Sequence, residues 1–176
     1  LSLEHSSPSL LGGGFDFTRC QGTVVWNIRT FSRSLFFAPV LRFRITGGTS
    51  SGTLPPQRAF IVDSRASGYA PFGVLRGSSV RELGGDRFFM INIEHNFRSV
   101  PFLVLNIPSL YRNGIELIIH GSAAQSWNGS TSTSGGWYSE AGFGVSRILD
   151  LLRADLTYRF NEPERLFFTV SVATLF

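Results

Sequence analysis

The stretch Leu166-Phe-Phe-Thr-Val-Ser-Val-Ala-Thr-Leu-Phe176 decides the fold. Counted back from Phe176, the residues Thr174, Val172, Val170 and Phe168 share one face of an extended chain, because side chains alternate at period two. Ala173, Ser171 and Thr169 between them are small or polar. The segment reads as a strand with one apolar and one polar face. Such a strand with a free edge is an aggregation hazard in water, so its apolar face calls for a covering medium.

The same alternation runs back through the chain. Leu152, Ala154, Leu156, Tyr158 and Phe160 oppose Arg153, Asp155, Thr157 and Arg159. Trp137, Ala141, Phe143 and Val145 oppose Tyr138, Glu140, Gly142, Gly144 and Ser146. Ile115, Leu117, Ile119, Ala123 and Trp127 oppose Glu116, His120, Ser122 and Ser126. Phe89, Ile91, Ile93 and Phe97 oppose Asn92, Glu94, Asn96 and Arg98, and Leu41, Phe43 and Ile45 oppose Arg42, Arg44 and Thr46. Residues 15–32 predict a longer strand with a bulge near Gly22, where the phase slips. Residues 1–7 predict the remains of one more. The expected fold is all-β, an antiparallel meander of about eight strands.

Composition narrows what covers the apolar faces. The 176 residues are 43% apolar, with 17 Phe, and only 16% charged, against roughly a quarter charged in average soluble chains. No run approaches the ~18 consecutive apolar residues of a membrane helix. Apolar content without apolar runs fits strands that are apolar on one face. The chain has no Lys, and its 16 Arg are spread rather than clustered, so the net charge of +4 makes no nucleic-acid surface. Lone Cys20 excludes an intrachain disulfide. His5, His95 and His120 lack metal-ligand spacing, and no metal or cofactor is expected. The chain opens in mid-pattern without Met or a signal peptide, which predicts a fragment of a longer protein.

Alternation suits a soluble sandwich and a membrane barrel alike. Three features favour the barrel. Strands of nine or more residues suit a tilted span. Trp127, Trp137, Tyr158, Phe160 and Phe176 sit at strand ends, as an interfacial girdle requires. Connections also alternate between short and long. With the C-terminus periplasmic, residues 8–14, 128–136 and 162–164 and the long segment 47–85 fall outside, and the turns at 32–36 and 148–150 fall inside. The connection 99–113 also falls inside. Its apolar Pro101-Phe-Leu-Val-Leu-Asn-Ile-Pro108 either extends the preceding strand or lies along the membrane surface. The expected location is a bacterial outer membrane, with its lipids as partners.

The run Arg81-Glu-Leu-Gly-Gly-Asp86-Arg87-Phe-Phe-Met-Ile-Asn-Ile-Glu94-His95-Asn96-Phe97, with Ile107-Pro-Ser-Leu110 after it, resembles a family of large Bacteroidetes outer-membrane proteins. Tyr138-Ser-Glu140-Ala-Gly142-Phe-Gly144-Val and Leu152-Arg153-Ala-Asp155 extend the resemblance, which covers about residues 50–176. Those proteins join a carboxypeptidase-regulatory-like domain to a C-terminal barrel. That barrel is similar to the bacterial surface-antigen superfamily, which holds the barrel-assembly insertases and two-partner secretion transporters. The resemblance implies that residues 1–176 are the C-terminal half of a transmembrane outer-membrane β-barrel. It implies a part in membrane-protein assembly, secretion or surface display, with the barrel-assembly machinery and a client or secreted protein as partners.

In the insertases the long loop folds into the lumen and carries a short Arg-Gly-aromatic motif. Leu75-Arg76-Gly77-Ser78 is the nearest match here, with Ser78 in the aromatic's place. Gly68-Tyr69, preceded by Arg65, is a second candidate with different spacing. Arg76 and Gly77 are thus candidate loop pins, and Glu94, Glu116, Glu140 and Asp155 are the carboxylates a guanidinium fork would pair with. A solvated loop Arg is the plainer alternative. Phe168, Val170, Val172 and Phe176 form the C-terminal barrel signal. No catalysis is expected, since no nucleophile elbow or oriented base accompanies the histidines. Two other readings stay open: a complete small eight-strand barrel serving as anchor, adhesin or narrow pore, and a soluble lipocalin-like binding barrel.

Overall fold

The structure is a computed structural model. It describes residues 1–7, 14–31, 38–62, 75–78, 83–129, 131–132, 136–161 and 166–172. The alternating segments form β1 (Ser2–Ser6), β2 (Phe17–Arg29) and β3 (Val40–Gly52), followed by the two-residue pieces β4 (Phe60–Ile61) and β5 (Gly84–Gly85). Then come β6 (Arg87–Arg98), the helices α1 (Val100–Val104) and α2 (Pro108–Arg112), β7 (Glu116–Asn128) and the short β8 (Thr131–Ser132). The chain closes with β9 (Tyr138–Ile148), β10 (Leu152–Arg159) and β11 (Leu166–Val172). The fold is all-β. Its main sheet is an antiparallel meander in the order β1-β2-β3-β6-β7-β9-β10-β11, with β8 attached to β7. Among the described residues β1 pairs only with β2 and β11 only with β10, so the sheet has two free edges.

Three boundaries differ from the sequence expectation. First, β3 runs past Thr46 to Gly52, so the long connection starts at Thr53 rather than at residue 47. Gly47 and Gly48 read as loop, yet glycine inside a strand often marks a close approach. A Cβ on Gly48 would lie 2.6 Å from Phe88 Cε1 and 2.8 Å from the Phe60 ring. Second, Gly22 carries no bulge, because β2 and β3 pair without a break from Phe17↔Gly52 to Arg29↔Val40. The apparent slip arises from Val25, an apolar side chain in phase with Arg19, Gln21 and Thr23. Register shifts occur instead at Asn96/Arg98 and at Leu152/Ala154. Third, residues 99–113 do not extend β6 but fold into α1 and α2, each with a proline in its first turn, where a missing N–H costs little. Phe176 and the turns at 8–13, 32–37 and 162–165 lie outside the described residues.

The polarity of the two faces is the reverse of a soluble sheet's. One face buries Glu116, His120, Ser122, Glu140, Asp155 and Thr157. The other exposes Val24, Ile45, Ile93, Ile119, Phe143, Phe168, Val170 and Val172. Register aligns the exposed side in a row across seven strands: Ile28, Leu41, His95, Ile119, Phe143, Leu156 and Phe168. The polar face is covered by the long connection. Phe60, Val62, Leu75 and Leu83 from that segment pack with Phe88, Met90, Ala124 and Tyr138 as the apolar core. The core therefore lies between the sheet and its own loop, not between two sheets.

Replacing Gly48 with Val should overpack this core and destabilise the fold by about 1–3 kcal/mol, read as a lowered urea midpoint. Gly22→Ala, whose Cβ would meet only Leu1 Cδ1 at 3.7 Å, should leave the midpoint unchanged.

Candidate functional site

Alternation sets Glu94 on β6, His120 on β7, Glu140 on β9, and Arg153 and Asp155 on β10, all toward the inner, polar face. Register draws them together, with Glu94 opposite His120, His120 opposite Gly142, and Gly144 opposite Asp155. The two glycines make the room. A Cβ on Gly142 would lie 2.9 Å from His120 Cε1, and one on Gly144 would strike the Asp155 carboxylate.

Into this space the long connection delivers Arg76 and Gly77. Arg76 Nη2 donates to Glu94 Oε2 at 3.1 Å, and its Nε lies 3.3 Å from Asp155 Oδ2. Arg153 reaches the same two carboxylates, at 2.9 Å to Glu94 Oε2 and 2.9 Å to Asp155 Oδ2. Two guanidinium groups and two carboxylates thus alternate in one cluster. Such mutual pairing is what buried ions require. His120 lies at its edge, with Nε2 3.5 Å from Asp155 Oδ1.

Glu140 holds the backbone of the loop rather than its charge. Its Oε1 accepts the Arg76 N–H at 2.9 Å, and its Oε2 accepts the Gly77 N–H at 2.6 Å and the Tyr138 hydroxyl at 2.7 Å. Each such bond to a charged acceptor contributes about 1.5–3 kcal/mol. A Cβ on Gly77 would lie 2.9 Å from Tyr138 Oη, 3.0 Å from Glu140 Oε2 and 3.2 Å from Phe167 Cδ2, so only glycine lets the chain come this close. Ser78 Oγ donates back to the Leu75 carbonyl at 3.4 Å, and both residues are fully buried.

Glu116 is the candidate carboxylate that stays apart. It accepts from Asn96 Nδ2 and Arg98 Nη1, each at 2.7 Å, because it starts β7, well along the strand from the level of His120. Arg65, Gly68 and Tyr69 lie outside the described residues. Phe168, Val170 and Val172 point away from the cluster and are 70%, 59% and 61% exposed. Sequence reasoning did not single out Arg153 or Tyr138, although both share the phase of the carboxylates they serve.

Sequence reasoning overlooked Gly48-Thr49-Ser50-Ser51-Gly52, which has the spacing of a nucleophile elbow; it forms straight strand where an elbow needs a strand-to-helix turn. Ser50 Oγ donates to the Asp86 carbonyl at 2.8 Å. The ring of His95 contacts Thr30 Oγ1 at 2.7 Å on the outer face, and that of His5 contacts Thr18 Oγ1 at 2.9 Å. The ring nitrogens of His120 meet no hydroxyl among the described residues. The inner cluster is arranged to clamp a loop, and the two histidine–hydroxyl contacts among the described residues lie outside it.

Glu140→Ala should free the loop. Limited proteolysis of the folded protein should then cut within residues 53–83 at least tenfold faster, given the roughly 3–5 kcal/mol attached to opening a buried charge cluster. Glu116→Gln, outside the clamp, should leave that cleavage rate as it is. No family model and no curated protein matches the chain, so the reading of this site rests on its own residues.

Proposed function

We propose that the chain is part of an outer-membrane β-barrel of surface-antigen type, non-catalytic, with lipid against its outer face and the long loop held as a plug on its inner face. Its work is membrane-protein assembly, secretion or surface display. The observation that carries this reading is the row from Ile28 to Phe168, apolar at every position but His95, on a face whose Ile119, Phe143 and Phe168 are 50%, 52% and 70% exposed. Soluble monomers rarely expose contiguous apolar patches beyond a few hundred Å². In a bilayer the same face costs nothing, and alternation of apolar outside with polar inside is the pattern of a transmembrane barrel.

Two further features support it. The backbone ladders pair each strand from β2 to β10 of the main sheet on both sides, as hydrocarbon demands of a spanning strand. The two free edges favour a sheet that continues into a larger barrel over an eight-strand barrel closed on itself. A lipocalin-like binder is disfavoured because its apolar residues would line the interior, whereas here the interior buries Glu140, Asp155 and His120.

Phe143→Arg tests the reading. An exposed Phe in water is replaced by Arg without loss, but at mid-bilayer the change costs about 2–4 kcal/mol. In the full-length protein it should sharply reduce insertion into vesicles. Asn92→Asp, which adds charge on the inner face opposite Arg44, should insert normally. Equal insertion of both variants would overturn the proposal.

A further inference from the structure

The turn end of the sheet carries a second apolar surface, distinct from the strand faces. Register puts the β2–β3, β6–β7 and β9–β10 connections at one end, through Arg29↔Val40, Val40↔Asn96, Asn96↔Ile118 and Ile118↔Gly144. Each connection bares large apolar side chains there. Phe31 is 80% exposed, Val104 77%, Leu105 66% and Leu149 85%. Turns normally carry polar or small residues, so three adjacent connections breaking that rule together ask for one common cover.

Charge says what the cover is. Arg98 is paired with Glu116 and Arg147 with Asp150. Arg29 and Arg112 at the same end are exposed and have no acidic partner among the described residues. Apolar side chains flanked by unpaired guanidinium groups match a surface with phosphate outside and acyl chain beneath. His95 marks the same boundary, as the one polar member of the outer row. Its ring touches the Thr30 hydroxyl and clusters with Phe31 and Phe97, with centroids at 5.6 and 3.9 Å. Side chains with an apolar body and a polar tip suit the depth where hydrocarbon gives way to headgroup.

We infer that this end, built by α1, α2 and the β9–β10 turn, lies in the headgroup boundary of the adjoining leaflet and anchors the barrel to anionic phospholipid. The inference rests on the barrel reading, and it adds a named interfacial platform to it. The helices are too short to span, but an interfacial segment needs to bury only about 5–10 Å.

The test uses the full-length protein with Cys20→Ser, carrying one environment-sensitive dye at Val104→Cys or at Phe143→Cys. Vesicles of phosphatidylethanolamine and phosphatidylglycerol contain lipids with a nitroxide either near the headgroup or deep in the chain. The Val104 dye should lose most of its emission to the shallow quencher, and the Phe143 dye to the deep one. If aqueous iodide quenches Val104 while lipid quenches Phe143, the platform is wrong and the barrel reading stands. Shielding of Val104 from both lipid and iodide would mean that protein covers it, a partner or a second copy, and also overturns the inference. If lipid fails to quench Phe143, both readings fall.

Discussion

A buried carboxylate must find donors or lose its charge, and Glu140 governs this molecule through that requirement. It is 2% exposed. The donors it finds are the backbone N–H groups of Arg76 and Gly77 and the Tyr138 hydroxyl. Without the loop Glu140 would keep only the Tyr138 hydroxyl of these donors, whereas Glu94 and Asp155 would still have Arg153. The loop supplies the remaining donors, and the sheet in turn gives the loop's described residues an apolar packing surface. Phe60, Val62, Leu75 and Leu83 are buried only because the same fold-back presses them onto Phe88, Met90 and Tyr138. Charge pairing and apolar burial are thus two results of one closure.

Glycine placement makes that closure sterically feasible. Gly48 admits the Phe60 and Phe88 rings, Gly142 admits His120, Gly144 admits the Asp155 carboxylate, and Gly77 brings the loop backbone within reach of Glu140. Glycine weakens a strand and loses more entropy on ordering than other residues. Gly48, Gly142 and Gly144 trade local strand strength for room on the inner face. The outer face shows no such crowding at Gly22, where the nearest atom is a Leu1 methyl.

Much of the sheet was legible because period-two alternation survives in single strands. The alternation read from Phe89 to Arg98 falls within β6, and the phases of β7, β9 and β10 were correct. The end of β3 was not legible, since Gly47 and Gly48 are poor strand formers held by pairing with β2 and with β6, which lies distant in sequence. The phase of β2 was misread because a single apolar residue, Val25, stands on the polar face. Arg76 was named through a resemblance to a loop motif, and Glu94, Glu116, Glu140 and Asp155 as carboxylates that a guanidinium would pair with. Alternation alone could not say that Glu116 sits at a different height from the others, because height depends on register between strands.

The stretch Leu75–Ser78 holds to the sheet without an aromatic of its own, and Ser78 bonds back to the Leu75 carbonyl. The aromatic surface around Gly77 comes from the sheet instead, with Phe167 on β11 and Tyr138 on β9 both close to where its Cβ would be. Arg159 adds to this wall by resting its guanidinium over the Tyr138 ring at 4.9 Å, a cation–π contact of the kind that strengthens when desolvated. The loop here grips through backbone and charge while the sheet contributes the rings. A bulky side chain at position 77 would therefore break the grip from both sides, by pushing the backbone off Glu140 and the rings out of contact.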